Sequence, residues 1–143
     1  MTFTIQIVSL ISALGIGSVI GIVIKHILDR NAELKIRLKI INEEKYKNVL
    51  IYMSILITPK NKDHFVLNDS ILYSLKTDSE IKEYAMTKLK AYYFQSLLYA
   101  SDEVMRSFKL FLADPDKQKY IVTAQKMRAD LWNNKTTLTV AEI

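Results

Sequence analysis

Cysteine is absent from this 143-residue chain, and glycine and proline nearly so. Without cysteine there is no disulfide, no thiolate nucleophile and no thiolate metal site, and the chain has no need of an oxidising compartment. The three glycines, Gly15, Gly17 and Gly21, all precede residue 22. No glycine is left for tight hairpins or phosphate-cradling loops beyond them, which argues against a turn-dense β-sandwich and against a dinucleotide-binding α/β fold. The two prolines, Pro59 and Pro115, sit where helical elements are expected to begin or end. Histidine is limited to His26 and His64, which are not spaced as a metal-binding pair.

Charge is missing from one long stretch. Phe3 to Ile24 contains no Asp, Glu, Lys or Arg. A helix of that length rises about 33 Å at 1.5 Å per residue, enough for a hydrocarbon core of about 30 Å. A secretory signal peptide is the competing reading, but such peptides carry a basic start and an apolar core of about 7–15 residues. Here only Met1 and Thr2 precede the run, and the small-residue site Ala13-Leu14-Gly15 lies in its middle. The run is therefore expected to be a retained transmembrane helix, residues 1–26, followed by a helical bundle over 27–133 and a tail over 134–143. Lys25, Arg30, Lys35, Arg37 and Lys39 follow the run closely. Basic flanks stay cytoplasmic, which predicts a single-pass protein of the inner membrane with its N-terminus outside. These five cations account for most of the formal net charge of +5, and anionic lipid headgroups are their natural partners. His26 belongs to the same interfacial flank, and His64 to a polar loop. No nucleic-acid partner is needed to explain the charge.

The apolar run is also one-sided. Thr2, Gln6, Ser9, Ala13, Gly17 and Gly21 recur every three or four residues and share one helix face, opposite Ile7, Val8, Ile11, Leu14 and Ile22. Gly17-Ser-Val-Ile-Gly21 is a GxxxG pair that allows close helix approach. Two uses of this stripe are open: helix–helix packing in a homo-oligomer, or the water-lined wall of a pore with Gln6 and Ser9 facing the lumen.

The remainder reads as helices. Thr77-Asp-Ser-Glu80 has the spacing of a capping box and opens a helix running to about Ala100. Ser101-Asp-Glu opens a shorter one, and Asp114-Pro115 is read as an N-cap with proline at the first helical position, starting a last helix that Trp132 closes. Asn48–Ile57 is an apolar run of ten residues, too short to span a bilayer and expected to be a buried helix. Over Leu34–Ile40, strict alternation with Lys35, Arg37 and Lys39 fits a strand, while Leu34, Leu38 and Ile41 fit a helix face. The whole segment 30–57 is read as helix, with a strand at 34–40 as the alternative.

Nothing in the sequence assembles a catalytic constellation, and no enzyme, metal or cofactor is expected. Paired carboxylates such as Glu43-Glu44, Asp102-Glu103 and Asp114/Asp116 fall at helix starts or beside lysines. Tyr92-Tyr93-Phe94 is a stacking platform in principle, but core packing explains it more simply.

An N-terminal membrane helix, a basic juxtamembrane helix and a compact helical bundle together resemble the accessory membrane proteins encoded beside type VI-B CRISPR RNA-targeting effectors. Ala124-Gln-Lys-Met-Arg-Ala-Asp-Leu-Trp132 is similar to the last bundle helix of those proteins. The resemblance implies a HEPN-like bundle, a ring-shaped oligomer with a membrane pore, and depolarisation that slows phage growth once the RNA-guided nuclease is activated. HEPN ribonucleases use an Arg followed four to six residues later by His. Arg30, Arg37, Arg106 and Arg128 all lack that partner, and Arg128 has Asn133 five positions on. A HEPN-like domain here is expected to be non-nucleolytic, with Arg128 and Asp130 forming either a polar helix edge or a pair with a neighbouring subunit. A tethered adaptor without pore activity is the alternative function, and a tethered ribonuclease the third.

Overall fold

The computed structural model describes residues 2–132, with side chains from residue 21 onward, and all regular structure among them is helical. The expected all-α class is what the chain adopts. Its order is α1 (Thr2–Ile57), a 3-10 turn (Pro59–His64), α2 (Ser70–Ser74), α3 (Asp78–Ser96), α4 (Asp102–Ala113) and α5 (Lys117–Trp132). By packing, the chain divides into two units, Met1–Ile40 and Ile41–Ile143.

In the first unit the ambiguous stretch 34–40 is helix, so the strand alternative fails. Glu33 and Arg37 pair at 2.6 Å across one helical turn. That i,i+4 contact exists only in a helix, and no neighbouring strand is present among the described residues to pair an extended segment.

The second unit is built around the end of α1. Tyr46, Val49, Ile51, Tyr52, Met53, Ile55 and Leu56 are buried and cover about 220° of the helix, with Leu50 and Ile57 half-buried beside them. Around them pack Ile81, Ala85 and Leu89 of α3, Val104, Phe108 and Phe111 of α4, and Met127 of α5. The helix stops where Pro59 forces Thr58 into extended backbone (φ −133°, ψ 95°). Asn61 then donates to the Ser54 hydroxyl at 2.7 Å, tying the 3-10 turn to the helix end.

Local capping explains the other boundaries. Thr77 and Glu80 form the expected capping box: the Glu80 N–H donates to Thr77 Oγ1 and the Thr77 N–H to Glu80 Oε2, each at 3.2 Å. Three expectations need correction. Helix α3 ends at Ser96, short of Ala100, and Leu97 and Leu98 beyond it are exposed. Ser101 does precede α4, but its side chain makes no capping hydrogen bond. The cap of α5 is Asp116, whose Oδ1 accepts from the Lys119 N–H at 2.7 Å, so Pro115 lies outside the helix. Asp114 binds the Lys119 ammonium instead, at 2.7 Å.

Candidate functional site

Two places carry polar or apolar groups beyond what the core explains. The first is the segment of α1 around residues 21–41. Its large apolar residues Ile22, Val23, Ile24, Ile27, Leu28, Leu34, Ile36, Leu38, Ile40 and Ile41 are all exposed. Of the residues expected to contact lipid headgroups, Lys25, Arg30, Lys35 and Arg37 are exposed and Lys39 is half-buried. At about 100° per residue these five cations are distributed around the helix rather than gathered on one side. Of the small and polar stripe, Gln6, Ser9, Ala13 and Gly17 lie on α1 but outside the described side chains, and only Gly21 can be placed. A Cβ built at Gly21 meets nothing within 4 Å, so another helix has room to approach there. Among the described residues no helix is long and apolar enough to cross a membrane; most of the Phe3–Ile24 run lies outside the described side chains.

The second place is a cleft of about 340 Å³ in the bundle, lined in part by Glu44, Lys47, Asn48, Asp69, Lys88 and Tyr92. Asp69 is its hub. One oxygen caps α2 by accepting the Leu72 N–H at 3.2 Å, and the carboxylate also accepts from the Tyr52 hydroxyl and from the Tyr84 hydroxyl at 2.8 Å. The Lys88 ammonium lies 3.7 Å away. Burial by itself would raise the Asp69 carboxyl, but the Tyr52 and Tyr84 hydroxyls, the Leu72 amide and the Lys88 charge together hold it below the ordinary carboxylate range. Burial and the Asp69 acceptor push the Tyr52 hydroxyl strongly upward. Its hydrogen bond with Tyr84, backed by the Asp69 charge, keeps the Lys88 ammonium protonated. Each of these groups therefore holds one protonation state near neutral pH. The cluster ties α1, α2 and α3 together, and with two carboxylates against two ammoniums its lining favours neither anions nor cations.

Sequence reasoning did not find this hub. Its one visible signal is Asn68-Asp69-Ser70 ahead of Ile71-Leu72, a helix-start pattern. The tyrosines reach Asp69 from 17 and 15 residues away, which periodicity cannot reveal.

The remaining sequence candidates fall as follows. Tyr92 and Tyr93 pack against the core, with Tyr93 edge-on to Phe108 at 5.5 Å, whereas Phe94 is exposed. Asp130 accepts from the buried Tyr46 hydroxyl at 2.5 Å, joining α5 to α1 within the chain, while Arg128 is exposed. His64 is exposed in the 3-10 turn, and His26 on α1. Among the described residues no group of three or more His, Asp or Glu side chains could hold a metal ion.

Comparison with protein-family models, with curated proteins and with solved structures finds no match. The functional reading consequently rests on the residues themselves.

Proposed function

We propose that this chain is a single-pass membrane protein that assembles into an oligomeric pore and depolarises the membrane. The observation that carries this reading is α1 itself. One 56-residue helix carries the uncharged run Phe3–Ile24 and then a stretch in which cations at all angles around its axis alternate with exposed apolar residues as far as Ile41. Lys25 and Arg30, within about 10 Å of the end of the run, suit a headgroup layer of anionic lipid, and cations spread around the axis are not the single basic face of a helix lying flat on the membrane. Exposed apolar residues beyond the headgroups have no lipid to cover them and call for other helices. The stripe of Gln6, Ser9, Ala13, Gly17 and Gly21 supplies a face that can pack closely or line water. In this reading the bundle is the cytoplasmic assembly platform at the inner membrane. The resemblance to CRISPR-associated accessory proteins adds a trigger, the activation of an RNA-guided nuclease.

A tethered adaptor needs only the anchor and the bundle, and the exposed patch Phe94, Leu97 and Leu98 at the end of α3 is what favours it as a second reading. Mass measurement of the full-length protein in mild detergent separates the two. A single species of five or more subunits is expected for the pore, since a central lumen needs a ring. A monomer or dimer leaves only the adaptor.

A further inference from the structure

The exposed part of α1 beyond the uncharged run has two apolar faces, and they differ in charge. Ile27, Leu34, Leu38 and Ile41 fall within about 60° of one another around the axis. Arg30 and Arg37 border that stripe on one side. Across the helix, about 130–170° from the middle of that stripe, stand Ile36 and Ile40, with Asp29 and Glu33 on the same side of the helix. Ile36 and Ile40 are 59 % and 60 % exposed.

Lipid cannot cover these residues in the membrane-spanning reading. Leu34 to Ile41 lie about 15–25 Å along the helix past Ile24, beyond the headgroup layer. A two-fold dimer cannot cover them either, because an isologous contact buries the same face of both copies and leaves the other in water. A head-to-tail arrangement covers both faces. With parallel helices, the basic-bordered stripe of one copy meets Ile36 and Ile40 of the next, and the Arg30/Arg37 border falls on the same side as the neighbour's Glu33 and Asp29. Arg37 already pairs with Glu33 of its own helix at 2.6 Å, which leaves Arg30 as the cation that reaches across.

We infer that the occupant of these faces is a second copy of this chain in a heterologous contact, Leu34/Leu38 of one copy against Ile36/Ile40 of the next, with Arg30 opposite Asp29 and Glu33. This inference rests on the oligomeric reading above and gives it an interface. A heterologous contact that closes makes a ring, and each copy in the ring uses both faces.

The absence of native cysteine makes the test direct. Full-length Leu38→Cys, Ile36→Cys and the double variant are placed in membranes and treated with a mild oxidant. Helices packed about 8–10 Å apart bring such Cα atoms within the roughly 4.4–6.8 Å that a disulfide allows. The expected result is a ladder of dimers, trimers and higher species from the double variant, and little product from either single one. Leu38→Cys alone yielding dimers that grow no further would overturn the inference, as would no product from any variant. Arg30→Glu is expected to cut the ladder about two- to five-fold, and adding Asp29→Lys to restore it. Ion leak from the same membranes separates the two ideas: a ladder without leak removes the pore and keeps the contact, and leak without a ladder does the reverse.

Discussion

Replacing Asp69 by alanine tests the polar hub of the bundle. The substitution removes an N-cap that accepts the Leu72 amide at 3.2 Å, a loss of about 1 kcal/mol. It also strands the hydroxyl of Tyr52, a residue only 3 % exposed, which costs about 1–3 kcal/mol for a buried donor without an acceptor. Tyr84 is half-buried and can turn to water, so its lost bond at 2.8 Å adds little. The Lys88 pair at 3.7 Å adds little too, because the lysine side chain is 40 % exposed. The expected destabilisation is about 2–4 kcal/mol. For a bundle of about 100 residues that corresponds to a fall in Tm of roughly 8–30 °C. Thermal unfolding of the full-length protein in detergent, followed by circular dichroism, reads it. Asp69→Asn keeps a capping oxygen and an acceptor for one tyrosine, so it falls between wild type and alanine. Lys88→Ala is expected to change Tm by only a few degrees. If Asp69→Ala unfolded within about 0.5 kcal/mol of wild type, Asp69 would not be the tie between α1, α2 and α3.

Other expectations follow from the same structure. The Asp69 carboxyl sits below its ordinary value in the fold, so its stabilising contribution is complete above the unfolded value of about 3.9 and is lost as pH falls through the folded one. Stability should therefore drop more steeply below about pH 4 in wild type than in Asp69→Asn, as seen in denaturant midpoints across that range. The Thr123 hydroxyl is fully buried with no hydrogen-bond partner, so Thr123→Val is expected to raise stability by about 1 kcal/mol, and a clear loss would show that the hydroxyl is satisfied. Phe108 is fully buried between Tyr93 and the rest of the core, and Phe108→Ala should cost about 3–5 kcal/mol by the same unfolding assay. Gly17→Leu with Gly21→Leu should reduce the oligomer seen in mild detergent. At Gly21 the single chain has no atom within 4 Å to clash with, so a lost oligomer there reports on helix contact rather than folding.

Local signals carried most of the fold. The capping box at Thr77 and Glu80 was legible because both partners lie within one turn and their chemistry is specific. The apolar run Asn48–Ile57 was legible as a buried helix because its length excludes a membrane span and no polar face interrupts it. Asp114-Pro115 misled by one step. Both Asp114 and Asp116 can cap, and the choice depends on which carboxylate the Lys119 amide meets. Leu97 and Leu98 continue the apolar composition of α3, yet the helix ends before them, and composition does not say where a helix frays. The Asp69 hub and the Tyr46–Asp130 bond join residues 15 to 84 positions apart, and such pairings arise only once the chain is packed. On α1, alternation over 34–40 looked like a strand because both faces of that helix carry apolar residues. That two-sided exposure is the feature now assigned to neighbouring copies.

The most direct test of the pore reading is ion flux. Purified full-length protein is reconstituted into liposomes of anionic and neutral lipid loaded with potassium, and efflux is followed with a membrane-potential dye. Dissipation of the gradient that rises with protein content, and that falls when Gly17 and Gly21 are both replaced by leucine, is the predicted result. Tight liposomes at protein densities where the full-length chain is inserted and oligomeric would contradict it and leave a membrane-tethered adaptor.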